Sequence, residues 1–96
     1  MIKSFGDKST ESIFNGLSTK DTRKLPSSLL KVIHRKLDML NAAAGLIDLR
    51  VPPGNRLEAL KGGWQGYFSI RVNDQFRVVF RWNEGASEDV RVLDYH

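Results

Sequence analysis

The chain has 96 residues, 41% of them hydrophobic and 27% charged, a balance expected of one small domain spanning 1–96 with a single modest core. It has no cysteine, which excludes disulfide frameworks, thiolate metal sites and a cysteine nucleophile. The net charge of +4 points to a polyanionic or acidic partner, but a generic basic surface gives the same sum, so the arrangement of the charges has to decide.

Met1-Ile2-Lys3-Ser4-Phe5 alternates weakly and is short enough for an opening strand. No apolar stretch follows Lys3 as in a signal peptide, and no apolar run approaches the ~18 residues of a membrane span, so a cytoplasmic location is expected. Asp7 is a candidate N-cap for a brief helix carrying Ile13, Phe14 and Leu17, with Gly16 at its end. Residues 18–25 are polar and basic and read as a loop. Pro26-Ser27-Ser28 starts the clearest helix: proline suits a first turn and serine caps free amides. Leu30, Ile33, Leu37, Leu40 and Ala44 recur at three- and four-residue steps and form one apolar stripe, which Gly45 is expected to stop. Lys31, Arg35, Lys36 and Asp38 are assigned off the stripe, and His34 at its edge.

Val51-Pro52-Pro53-Gly54-Asn55-Arg56 has the chemistry of a loop. Leu57 to Lys61 reads as a short strand leading into Gly62-Gly63. Tyr67 to Val72 and Phe76 to Trp82 alternate with period two around Asn73-Asp74-Gln75, which predicts a hairpin. Glu84 to Ser87 is a second turn, and Val90 to Tyr95 closes the sheet. The fold class is α+β, with two N-terminal helices packed on one face of a small, largely antiparallel β-sheet.

Strand alternation puts Phe68, Ile70, Val72, Phe76, Val78, Phe80 and Trp82 toward the helices. Arg71, Arg77 and Arg81 then share the opposite face, where Lys61 and Arg56 are candidates to join them. Guanidinium groups bind phosphate in a bidentate manner, so such a face suits a nucleic-acid backbone. The plainer alternative is a solvated face balanced by Glu84, Glu88 and Asp89. The chain closes on Asp94-Tyr95-His96: a carboxylate, a phenol and an imidazole, read either as acid/base groups on an ordered strand or as a frayed polar tail. In an ideal strand Tyr95 lies opposite Asp94 and His96. No metal-ligand spacing, P-loop or dinucleotide fingerprint is present, so no metal or cofactor is expected.

The stretch Pro52-Pro53-Gly54-Asn55-Arg56-Leu57-Glu58-Ala59-Leu60-Lys61-Gly62 continues into Gly66-Tyr67-Phe68-Ser69-Ile70-Arg71-Val72-Asn73, then Gln75-Phe76-Arg77 and the closing Asp94-Tyr95-His96. Together these residues closely resemble HigB-type toxins, including the GraT subgroup, of the RelE/ParE toxin superfamily. The resemblance implies a toxin of a type II toxin–antitoxin pair that enters the A site of the 70S ribosome, docks against rRNA and cuts mRNA. Its implied partner is a HigA-like helix-turn-helix antitoxin. Residue by residue, it implies that Asp94, Tyr95 and His96 match the terminal active-site cluster. Arg77 matches the arginine on the scissile phosphate, Lys61 a basic residue of the same cleft, and Gln75 a polar neighbour. Arg71 and Arg56 are further phosphate-binding candidates. Glu58 stands where some relatives carry histidine; it is either a base or not part of the chemistry. Two rival functions remain: a ParE-like inhibitor that binds DNA gyrase without catalysis, and a simple RNA-binding module in which tryptophans and Tyr67 stack on bases.

Overall fold

The computed structural model describes residues 1–94. Helix α1 (Lys8–Phe14) starts where Asp7 Oδ1 accepts the Thr10 amide at 2.7 Å, the N-cap expected of an aspartate before an apolar periodic segment. Gly16 follows with φ +72°, and Leu17, expected on the apolar side, is exposed.

Helix α2 (Ser27–Ala42) is the packing helix. Ile33, Leu37 and Leu40 are fully buried against Ile70, Val78, Phe80 and Val90 of the sheet. Three expectations about α2 need correction. Its N-cap is Pro26, and neither serine caps it with a side-chain hydrogen bond. Its stripe ends before Ala44: Ala43 is already extended and buried, and Ala44 is exposed. The reason lies downstream, where Asp48 Oδ2 accepts the amides of Ala44 and Gly45 at 2.9 and 3.2 Å and turns the chain into a short 3-10 helix at Leu46–Arg50. Finally, Lys36 is buried rather than off the stripe, because the loop before the sheet folds over that flank and Asn55 Oδ1 accepts its ammonium.

The sheet runs β1 (Glu58–Ala59), β2 (Tyr67–Arg71), β3 (Phe76–Asn83), β4 (Ala86–Asp94), in that spatial order and antiparallel throughout. The β2–β3 hairpin is closed by Asn73, whose Oδ1 accepts the amides of Gln75 and Phe76 at 2.9 and 2.7 Å; a short side chain that mimics a backbone turn is what this connection requires. The opening strand is present as two isolated parallel bridges, Ile2 to Ser87 and Phe5 to Val90. Backbone bonds Lys3 N to Ser87 O (2.8 Å) and Gly6 N to Val90 O (2.7 Å) cover the outer edge of β4, which would otherwise offer unpaired groups to another chain.

Between Val79↔Arg91 and Arg81↔Glu88 the register shifts: two steps along β3 face three along β4. The extra residue is accommodated at Asp89, with φ +54°, a conformation aspartate tolerates better than most residues. Among the described residues, no helix is long and apolar enough to cross a membrane.

Candidate active site on the outer face of the sheet

The pairing places Arg71 directly opposite Arg77, with Leu93 beyond it on β4. Glu58, Ser69, Val79 and Arg91 form the next row across the four strands. These rows face away from α2, so the basic face inferred from alternation is present. Like charges directly across a ladder repel. Asp74 relieves this pair, accepting from Arg71 Nη2 at 2.5 Å.

Arg77 is held by Ser69 and Arg56, with a long 3.5 Å bond from Nη2 to the Ser69 carbonyl beside the two short ones. Its Nε donates to Ser69 Oγ at 2.7 Å, and its Nη2 donates to the Arg56 carbonyl at 2.5 Å. Ser69 is fully buried, so its hydroxyl is a fixed acceptor. Arg56 has φ +44°, which turns its carbonyl toward the sheet at the end of the turn Pro53–Asn55. Strand alternation places Ser69 on this face with Arg71 but gives it no role in the site. The available signal was a lone hydroxyl between Phe68 and Ile70, on the same face as Arg77.

The other sequence candidates fall around this point. Glu58 lies opposite Ser69 and is exposed. Lys61 is exposed at the start of the turn Gly62–Trp64. Gln75 Nε2 donates to Asp94 Oδ2 at 3.0 Å. Asp94 pairs with Phe76, which places it in the row of Val90 and Val92, on the side of the sheet opposite the row of Arg77 and Leu93. The sequence candidates Tyr95 and His96 lie outside the described residues.

A second cluster adjoins Arg77 on the same face. Tyr67 OH donates to Asp89 Oδ2, and Arg91 Nη2 donates to Asp89 Oδ1 at 2.7 Å. Arg91 lies over the Trp64 ring at 5.4 Å, Arg81 over the Tyr67 ring at 5.6 Å, and the two rings meet edge to face at 4.9 Å. A Cβ at Gly6 would fall 2.3 Å from Arg91 Nε, so any larger residue there would push this guanidinium from its place. Asp89 thus balances part of the basic face, as the plainer alternative anticipated.

The Tyr67 hydroxyl, ahead of Arg91, holds the Asp89 carboxyl below its ordinary range, while the same bond raises the Tyr67 hydroxyl above its own. A depressed carboxyl contributes stability that is complete above its unfolded pKa and is lost as pH falls through the folded value. A raised phenol contributes stability that is complete below its unfolded pKa and is lost as pH rises through the folded value. The bond should therefore hold constant between about pH 5 and pH 9 and fade outside that window. Tyr67→Phe is expected to lower stability by about 1 kcal/mol inside the window, a charged hydrogen bond discounted for its partial exposure. Melting curves of both proteins across pH check this; a gap that stays constant down to pH 2 would rule out the assignment.

A family model described as a RelE-like toxin of the type II toxin–antitoxin system HigB matches residues 3–96. The chain belongs to the HigB-like toxin family. This HigB-like toxin is 44% identical over 96 residues to Toxin HigB-1 of Vibrio cholerae, covering 100% of this chain and 98% of that relative. It is 29% identical over 96 residues to Endoribonuclease HigB of Proteus vulgaris, covering 100% of both. Its backbone is similar to a chain of the YoeB-YefM complex from Staphylococcus aureus, with TM-score 0.62 at 17% identity over 100% of this chain and 98% of that one. It is also similar to YafQ from E. coli, with TM-score 0.57 at 14% identity over 98% and 93%. At such identities these likenesses show the fold, two helices on a four-stranded antiparallel sheet.

Proposed function

We propose that this HigB-like toxin is a ribosome-dependent endoribonuclease that cuts mRNA in the A site and so stops translation. The observation that carries the reading is Arg77: a guanidinium fixed by Ser69 Oγ and the Arg56 carbonyl, on a face that also presents Arg71, Arg81 and Arg91. The relative named Endoribonuclease HigB supports the reaction class. Cytoplasmic action and a HigA-like antitoxin follow from the same reading; the neighbouring YoeB is itself paired with YefM.

The proposed reaction is attack by the ribose 2′-oxygen on the adjacent phosphorus. The P–O5′ bond breaks, leaving a 2′,3′-cyclic phosphate and a 5′-hydroxyl. One group must take the 2′ proton and another must give a proton to the departing 5′-oxygen. His96 is the proposed proton-transfer group, with Glu58, in the row of Ser69, as the candidate base; Asp94, on the other side of the sheet from Arg77, would orient His96, and Tyr95 would stack or hydrogen-bond. Arg77 would stabilise the charge that accumulates on the phosphorane, helped by Lys61, Arg71 and Arg56, with Gln75 orienting Asp94. A pure gyrase inhibitor does not need these acid/base groups.

The test is cleavage of a defined mRNA in a bacterial translation system, mapped by primer extension with and without ribosomes. Cuts are expected only with ribosomes, ending in a cyclic phosphate, and are expected to be lost in His96→Ala. Cleavage of naked RNA at the same rate would remove the ribosome from the mechanism. Intact mRNA together with loss of supercoiling activity would favour gyrase.

A further inference from the structure

The carbonyl that holds Arg77 is itself anchored from inside the protein. Asn55 is fully buried, and every polar atom of its side chain is engaged. Its Nδ2 donates to the carbonyls of Leu49 at 3.1 Å and Val51 at 3.4 Å and lies 3.9 Å from Met39 Sδ. Its Oδ1 accepts from Lys36 Nζ at 2.5 Å. Lys36 is 9% exposed, so this ammonium reaches the loop from beneath, through the flank of α2. Burial, with Arg35 and Arg71 adding repulsion, lowers its pKa below the ordinary lysine range, a desolvation cost that the bond to Asn55 Oδ1 offsets.

Arg56, the next residue along the chain, is where the backbone enters the left-handed region, at φ +44° and ψ 58°. A non-glycine residue stays there only when its surroundings over-determine it. The surroundings here are Asn55 on one side and Arg77, on the Arg56 carbonyl, on the other. We infer that Asn55, clamped by Lys36, is a positioning residue for Arg77: it fixes the left-handed turn at Arg56 so that one carbonyl and the Ser69 hydroxyl hold the guanidinium in a single orientation. This inference rests on the reading of Arg77 as the phosphate-binding group.

Neither Asn55 nor Lys36 reaches substrate, since both are buried, so any effect on cleavage passes through the loop. A purely structural staple would lower the melting temperature and leave the guanidinium of folded molecules unchanged. A positioning residue would loosen the guanidinium in molecules that remain folded.

The test uses the 96-residue chain and two readouts. The first is rotation of the Arg77 guanidinium about Nε–Cζ, followed by NMR and assigned by its absence in Arg77→Lys. Asn55→Asp keeps an acceptor for Lys36 but loses the donors to Leu49 and Val51. In the fraction that melts cooperatively, rotation is expected to speed by about 10-fold or more, since a carbonyl displaced by an ångström no longer restrains the fork. Lys36→Met, which keeps the stem and loses the ammonium, is the second variant if Asn55→Asp does not fold, and the same change is expected. The second readout is the single-turnover cleavage rate constant on saturating ribosomes. It should fall by about 10-fold in Asn55→Asp, and by no further amount when Asn55→Asp is added to Arg77→Lys. Unchanged guanidinium rotation in a folded variant overturns the inference, whatever the ribosome assay gives. So does a full additional rate loss in the double variant. A wild-type chain that cuts no mRNA counts against the ribonuclease reading alone, and the NMR result still decides the positioning.

Discussion

Arg77→Ala is expected to lower ribosome-dependent mRNA cleavage by about 10²–10³-fold, the loss typical when one preorganised donor to a developing oxyanion is removed. The effect is geometric before it is electrostatic. The restraints on Arg77 include two short bonds at different nitrogens, 2.7 and 2.5 Å long, so its charge is aimed before substrate arrives. Asp74 draws off the Arg71 guanidinium opposite, which lessens the repulsion that would push the two apart. Arg77→Lys is the informative companion. It keeps a positive charge, but an ammonium on a flexible stem cannot bond Ser69 Oγ and the Arg56 carbonyl at once and still face phosphate. It is expected to recover no more than about a tenth of the lost rate. Single-turnover rates on saturating ribosomes, with melting temperatures beside them, check both variants. Wild-type cleavage by Arg77→Ala would turn the outer face into a docking surface and place the chemistry elsewhere.

The parts of this site that the sequence showed are those that depend on local period. Alternation in Tyr67–Val72 and Phe76–Trp82 is unambiguous because apolar and basic residues take turns, and it assigned Arg71, Arg77 and Arg81 to one face before any register was known. Asn73 marked the hairpin because its side chain supplies the turn's own hydrogen bonds. The parts that were hidden depend on what comes from far along the chain. Lys36 is three residues after Ile33 and four before Leu40, so its place beside the stripe was available, yet its burial follows only from Asn55 folding over that flank. The bulge at Asp89 has no cue beyond an aspartate in a strand, and it is the bulge that lets Asp89 meet both Tyr67 and Arg91. Register is the clearest case. Whether Asp94 shares a side with Arg77 is settled by which residue of β3 it faces, and it faces Phe76. The Gln75–Asp94 bond therefore wraps the end of the sheet instead of lying within the arginine rows.

Phe80→Ala separates the two faces by the opposite signature. Phe80 is fully buried on the side of β3 that faces α2, with its ring centroid 6.2 Å from Phe68 and 6.5 Å from Trp82. Truncation removes the ring from the centre of the layer joining α2 to the sheet, and strands on both sides limit how far the gap can close. The expected cost is about 3–5 kcal/mol. Against a total stability of about 5–15 kcal/mol, that is a large fraction, and it corresponds to a fall in melting temperature on the order of 20 °C. Arg77 and Ser69 sit on the other face, one step out of phase along their strands, so their geometry in folded molecules should survive. Calorimetry should therefore show a marked drop, while single-turnover cleavage well below the melting point should lose amplitude, in proportion to unfolded protein, and keep its rate constant. A fallen rate constant in fully folded Phe80→Ala would mean that the core side of β3 sets the position of Arg77 directly, and that the two faces are not independent.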